Sequence, residues 1–352
     1  MKTTTLFRFL MALALLLALP LQGFTQTNQP EVNIYNAEGQ VVFSFLLDTP
    51  DPDMRRIPAS VTSLRQRDPA AFVRLLAEYI NENSECDFER VKKAHDWVAL
   101  NIRYDTQSYF SGRYASQNVD AVIKRGNAVC AGYADVLKYI LDVLEIENKV
   151  VSGHARGHGS NLWNNSSAMS VNHAWNMVTI YGEKYLIDST WNAGSLNGTS
   201  FRASYKTAYL FANPVVFIHK HFPSYSEDQL LDRPLSAEEF LALPFVRPSF
   251  FQAFESWPEL ARINEVIAGE EINLEFSLKE GYELCYTWYN QSGASLMSRY
   301  PAKMSSYKFN VPKLNPGRYK LVIFVKKTGE RTYWGCAEYG FVVTAAPKEA
   351  DV

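Results

Sequence analysis

The sequence has no block of lysine or arginine, no CxxC pair, no internal repeat and no low-complexity segment. Beyond its first two dozen residues it also has no apolar run of the roughly 20 residues that crosses a bilayer. Its 35 basic and 37 acidic residues are interspersed and sum to a formal charge of -2. Nucleic acid and anionic membrane surfaces select contiguous basic patches, so neither is an expected partner. Four cysteines in 352 residues are too few for a small disulfide-stapled scaffold. Without paired spacing they also argue against a structural zinc site.

The first 26 residues, MKTTTLFRFLMALALLLALPLQGFTQ, run from basic Lys2 and Arg8 through an apolar stretch, Phe9 to Leu21, to small and polar residues. That order is the pattern of a secretory signal peptide, with cleavage expected between Leu21 and Thr27. No cysteine follows the apolar stretch, so the expected product is an exported periplasmic or extracellular protein without a lipid anchor or transmembrane segment. The roughly 325 residues that remain exceed the usual single-domain size of about 100 to 200. Two domains are therefore expected.

VNIYN and QVVFSFLL read as extended, and the prolines and aspartates of DTPDPDMRRIP mark a loop. Helical spacing follows over Pro69 to Tyr79 and again from Asp87 to Ile102. A third helix opens at Cys130, where Tyr133, Val136, Leu137, Ile140, Leu141 and Leu144 repeat at three and four. The texture then turns to strands: NKVVSGHAR, a polar loop from Gly157 to Ser170, and a hairpin of HAWNMVTIY and KYLIDSTW around Gly182. ASYKTAYLF reads as helical, and Ser236 and Glu239 in LSAEEFLALPF have capping-box spacing. From Pro258 five short strands, INLEFSL, LCYTWYN, YKFNV, RYKLVIFVK and YWGCAEYGFVV, suggest a small sandwich. The expected division is a leader (1–26), a catalytic domain with an N-terminal extension (27–257), a β-sandwich (258–346) and a tail (347–352).

The informative stretch is NAVCAGYADV, which sets Cys130 in the first turn of an apolar helix. Unpaired N–H groups and the macrodipole at a helix start favour a thiolate, and the same N–H groups can hold the oxyanion formed on an attacked carbonyl. A free cysteine is otherwise most often packing. What distinguishes Cys130 is a base within reach. If Tyr181 and Gly182 are the two turn residues of the hairpin, Asp188 falls opposite Trp175 and His173 is its diagonal neighbour on the same face, about 7 to 8 Å away. With Gly182 and Glu183 in the turn, the separation becomes about 13 Å at roughly 3.3 Å per residue. Register thus decides whether a carboxylate can orient the imidazole.

The blocks AHDWVALNIRYD, GNAVCAGYADVL and NHAWNMVTIYGEKYLIDSTW, in that order, resemble the transglutaminase-like superfamily, whose papain-type core uses cysteine, histidine and aspartate in this chain order. The following YLFANPVVFIHKHFP and LSAEEFLALPFVRPSFF, then a sandwich, are similar to its kyphoscoliosis-peptidase-like branch. The resemblance implies an α+β fold, a transglutaminase-like (papain-like) catalytic domain followed by an all-β immunoglobulin-like sandwich. It implies Cys130 as nucleophile, His173 as base and acid and Asp188 as orienter, acting through an acyl-enzyme on a peptide or side-chain amide without any cofactor. Hydrolysis is the favoured outcome; isopeptide cross-linking by an acyl transferase, and a catalytically silent peptide-binding module, are the alternatives.

Around these residues, Trp175, Trp191 and Gly132 are candidates to line a substrate groove. Tyr104 and Asp105 are expected to be structural. His154, His158, His219 and His221 lack the carboxylate or cysteine spacing of a known metal site, so no metal is expected there. Cys285, followed by Trp288, and Cys336 lie on strands of the sandwich, and a disulfide between them is expected. Expected partners are a protein or peptide substrate and, through the sandwich, a component of the cell envelope.

Overall fold

The computed structural model describes residues 30–163, 169–269, 273–299, 306–310 and 314–346. The leader-like segment 1–26 and the tail 347–352 lie outside the described residues. Among the described residues no helix is long and apolar enough to cross a membrane.

The N-terminal hairpin, β1 (Glu31–Tyr35) and β2 (Val41–Leu46), leads into helices α1 (Pro69–Glu82) and α2 (Asp87–Asn101). Both helices end within three residues of their expected limits. Asp68 caps α1 through Ala71 N–H, and Pro69 occupies the first turn, where its missing donor costs nothing. After α3 (Val119–Arg125), Gly126 at φ 73° closes the helix in the left-handed region and turns the chain into α4 (Cys130–Val143). The apolar faces of α1, α2 and α4 meet in one core that includes Phe72, Leu76, Trp97, Val98, Tyr133, Leu137 and Leu141.

Against α4 lies a four-stranded sheet in the order β6-β3-β4-β5, made of β3 (Asn148–Ala155), β4 (His173–Ile180), β5 (Glu183–Ile187) and β6 (His221–Pro223). Val178, Ile180 and Ile187 face the helices. Buried Asn176 donates from Nδ2 to the Ala134 carbonyl at 2.9 Å, which ties β4 to the first turns of α4. Strand and helix start are thereby fixed to one another.

ASYKTAYLF is not a helix. Residues 204–211 form an extended and turned segment whose backbone groups are claimed by the chain beside it. Lys206 N–H bonds the Asn192 carbonyl, Tyr209 N–H bonds Asn192 Oδ1, and the Tyr209 carbonyl accepts from Asp188 N–H. Apolar spacing of three and four does not make a helix when the i to i-4 partners are already taken. The capping box of Ser236 and Glu239 opens α6 (Ala237–Ala242) as expected.

The sandwich begins at Phe245 rather than Pro258. The elements β7 (Phe245–Val246), α7 (Pro248–Ala253) and β8 (Phe254–Ser256) precede β9 (Ile263–Ile267), β10 (Asn273–Leu278), β11 (Tyr282–Asn290), β12 (Ser295–Arg299), β13 (Ser306–Asn310), β14 (Gly317–Lys327) and β15 (Trp334–Thr344). One sheet runs β7-β15-β14-β11-β12, with β9 parallel to β15, and the other runs β8-β10-β13. The segment before 258 supplies a strand to each sheet and puts Phe250, Ala253 and Phe254 into the same core as Phe276, Trp288, Leu321 and Phe341. Buried aromatics of this size contribute about 1.5–3 kcal/mol each. The fold is α+β with a C-terminal β-sandwich.

Cys285 and Cys336 are both free thiols. They lie on β11 and β15 of one sheet, with β14 between them, so their backbones are about 10 Å apart at roughly 4.8 Å per strand. A disulfide needs Cα atoms within about 7 Å. Cys336 also faces the core, whereas Cys285 alternates with core-facing Leu284 and Tyr286 and points the other way. The expected bond would need the two cysteines on facing sheets.

Candidate active site

Ile180 pairs with Glu183 and Asn176 with Ile187, so Tyr181 and Gly182 are the two turn residues of the hairpin. Both have positive φ, 53° and 86°, as a two-residue type I′ turn requires. Continuing that register by one residue sets Asp188 across from Trp175, with His173 diagonal on the same face. The imidazole and carboxylate meet: His173 Nε2 lies 2.7 Å from Asp188 Oδ2, and both residues are buried.

The other edge of the imidazole lies toward Cys130, close enough for His173 to lower the thiol. Val129, the residue before α4, offers no side-chain cap. The first-turn N–H groups of the helix are thus left for the thiolate or an incoming oxyanion. Burial alone would raise the Cys130 thiol; the hydrogen bond and charge of His173, and then the Ala174 backbone N–H, outweigh it and hold the pKa below the ordinary value. Burial likewise disfavours a charged His173, but the charge and hydrogen bond of Asp188 and the contact with Cys130 hold it protonated well above its usual range. Desolvation opposes the ionised Asp188, and the two histidines beside it keep it a carboxylate. All three shifts run in the direction of a thiolate–imidazolium pair backed by a carboxylate.

Asp188 has a second task. It is the N-cap of α5 (Ser189–Ala193), where Oδ1 accepts the Trp191 N–H at 3.0 Å. One side chain therefore starts a helix and fixes an imidazole, and that helix delivers Trp191 onto the site. The Trp191 ring lies 5.3 Å from that of His173 and is partly exposed. A Cβ on Gly157 would stand 3.3 Å from it. Trp191 can wall a groove.

The other two groove candidates are turned inward. Trp175 is 1% exposed and packs beneath His173 against Phe217 and His221. Gly132 is buried, and a Cβ there would stand 2.6 Å from that of Ala128 and 2.7 Å from Gln117 Oε1, so the position has room only for glycine. Its role is close packing of α4 against the preceding segment. Asp105 caps the helical turn Thr106–Ser111 through Ser108 N–H, as a structural residue does. Tyr104 is less passive: burial first, then the charge of Cys130, push its phenol up, so the hydroxyl stands in the field of the thiolate.

Of the histidines considered for metal, His154 bonds the Ser170 carbonyl, His158 lies edge-on to Phe110, and His219 packs on Phe251. His221 instead reaches the centre, its Nε2 2.9 Å from Asp188 Oδ2. His173, Asp188 and His221 present ligand-capable atoms within 4.8 Å of one another. Two of those contacts are already hydrogen bonds, whose protons a metal ion would have to displace. The sequence pointed to His221 only as one of four scattered imidazoles; its place follows from β6 pairing with β3, where His221 stands opposite Ala155.

Residues 74–191 match the sequence profile of the Transglutaminase-like superfamily. Over 270 residues, 75% of this chain, the sequence is 27% identical to the kyphoscoliosis peptidase of Mus musculus and 25% identical to that of Homo sapiens, covering 40% of each. The chain thus spans about two fifths of the length of these curated relatives. A solved structure described as a TGase is 21% identical with a TM-score of 0.28, over 41% of this chain and 34% of that one.

Proposed function

We propose, for a chain whose residues 74–191 match the transglutaminase-like superfamily, an exported, cysteine-dependent amide or peptide hydrolase. The reading rests most on one observation: an imidazole shared between Cys130 at a helix start and a buried Asp188 2.7 Å away. The Cys130 thiolate attacks the amide carbonyl, and the oxyanion settles on first-turn N–H groups of α4. His173 then gives its proton to the leaving amine, and the acyl group stays on Cys130 as a thioester. Water, deprotonated by the now neutral His173, releases the acid and restores the thiolate. Asp188 holds the ring for both transfers. No cofactor enters the sequence of steps. Export is proposed from the leader-like first 26 residues.

The test begins with the rate of iodoacetamide alkylation at Cys130 against pH, read by peptide mass spectrometry, in wild type and His173→Ala. The expected result is a fast plateau well below pH 8.5, the approximate pKa of a free thiol, that disappears in the variant. Labelling that rises only near pH 8.5 in the wild type would move the binding-module reading ahead. Release of free acid from a peptide amide, lost in Cys130→Ala, marks the hydrolase. Incorporation of a labelled amine into a glutamine-bearing protein marks a transferase.

A further inference from the structure

His221 has no place in the three-residue scheme, yet its ring reaches the carboxylate at its centre. It is 0% exposed, and its Nε2 shares Oδ2 of Asp188 with His173, at 2.9 and 2.7 Å. Its ring is stacked on Phe217 at 3.9 Å and enclosed by Trp191, Trp175 and Tyr209 at 4.4, 5.2 and 5.3 Å. We propose that His221 is a positioning residue of this active site: a neutral imidazole with its proton on Nε2, donating to Asp188 Oδ2 so that the carboxylate stays ionised and aimed at His173. This rests on the reading of Cys130, His173 and Asp188 as the reacting set.

The protonation state follows from the surroundings. The titratable groups that face the ring are Asp188 at the start of α5, His173 on β4 and the Tyr209 phenol on the 204–211 segment. Phe217 and Ala155 add no charge. Nε2 points at a carboxylate, which only accepts, so that nitrogen must carry a proton. Nδ1 is buried with only the Phe217 carbonyl near it, at poor geometry, and that acceptor raises the ring less than burial lowers it. Burial itself pushes His221 down, to about 4, so the ring is neutral across the working range.

The consequence lies on Asp188. A fully buried carboxylate tends to take up a proton, and a protonated Asp188 would no longer stabilise the imidazolium of His173. Its oxygens receive three donors: the Trp191 N–H on Oδ1, and His173 and His221 on Oδ2. During the reaction His173 gives up the proton on its other nitrogen and loses its charge, keeping its Nε2–H on Asp188, while the Trp191 and His221 donors are unchanged. His221 is thus a second side-chain donor on the carboxylate at the stage when the charge of His173 is gone.

Packing and donation make opposite predictions for two substitutions. His221→Phe keeps an aromatic ring against Phe217 but cannot donate; His221→Gln loses the stack but places an N–H near the position of Nε2. If donation matters, Cys130 alkylation at pH 6 falls roughly tenfold or more in His221→Phe, and the rising limb of its pH curve moves up by about one unit. His221→Gln then stays within about threefold of wild type. A His221→Phe curve that overlays the wild type overturns the role. Where both variants shift alike, or the phenylalanine variant does not fold, the ¹⁵N shifts of His221 in the wild-type protein decide. A neutral Nε2–H tautomer throughout pH 5–9 upholds the proposal, and an Nδ1–H tautomer or a titration in that window overturns it. The two readings fail separately: a wild type without a low-pH plateau defeats the reacting set, and a wild-type plateau untouched by His221→Phe defeats His221 alone.

Discussion

Half-buried Cys130 and buried Cys336 are the same chemical group in two places of one chain, and their thiols are driven in opposite directions. Cys336 lies in the sandwich core with its Sγ against the Ile323 carbonyl, an acceptor, and burial pushes its thiol up. Cys285 behaves likewise, raised by burial to about 11. Cys130 is also desolvated, but an imidazole and a backbone N–H donate to it, and the balance reverses. Burial alone raises a thiol; donors beside it lower it toward the reactive thiolate. The sandwich has the first condition, and the helix–sheet junction has both.

The sharpest way to break this contrast is to remove what keeps the donor charged. Asp188→Asn leaves the shape of the site but withdraws the negative charge behind His173. The expected result is a loss of roughly 10³–10⁴ in kcat on any amide the wild type cleaves, together with a Cys130 labelling curve that moves toward that of an ordinary thiol. The sign of the acid limb follows from the same residue. Its folded pKa lies below the unfolded value of about 3.9, so the stabilisation from the ionised Asp188 is complete above that value and is lost as pH falls through the lower, folded pKa. Retention of a low-pH labelling plateau in Asp188→Asn would mean that the helix start, not the carboxylate, makes the thiolate.

A smaller effect compares the cysteines directly. At pH 7 in the folded protein, iodoacetamide is expected to modify Cys130 at least about 100-fold faster than Cys285 or Cys336. All three should become alike in denaturant. A fast-labelling Cys336 in the native state would show that the sandwich opens, and the contrast would then be one of mobility rather than electrostatics.

How much of this was legible in the sequence follows the range of the interactions. The hairpin could be read down to two registers because its turn had to include Gly182; the structure's choice of Tyr181 and Gly182 fixes every pair behind them, His173 and Asp188 included. α4 could be read because its apolar spacing is unbroken from Tyr133 to Leu141. His221 could not, since it meets Asp188 across 33 residues, through the pairing of a three-residue edge strand with β3. The sandwich boundary escaped because a two-residue strand, a six-residue helix and a three-residue strand are too short to show a period. The 204–211 segment misled because its pattern is helical while its partners, Asn192 and Asp188, are fixed by another element.

The smallest expected effect concerns Tyr104, which separates a thiol that is merely reactive from a site arranged for turnover. Tyr104 lies on a short strand beside Asn127–Ala128, just ahead of Cys130, and its phenol is raised by burial and then by the thiolate's charge. A raised phenol remains a donor throughout the working pH range. It can therefore stabilise negative charge near Cys130 without competing for the proton of His173. In the proposed reaction that charge is first on sulfur and, after attack, on the carbonyl oxygen. If the hydroxyl serves the resting thiolate, Tyr104→Phe should slow alkylation and turnover together, by about threefold. If it serves the oxyanion, turnover should fall roughly tenfold while alkylation by iodoacetamide, which passes through no oxyanion, stays within about twofold of wild type. The second outcome is expected, because His173 and the Ala174 N–H already serve the sulfur and a third donor there would slow its attack.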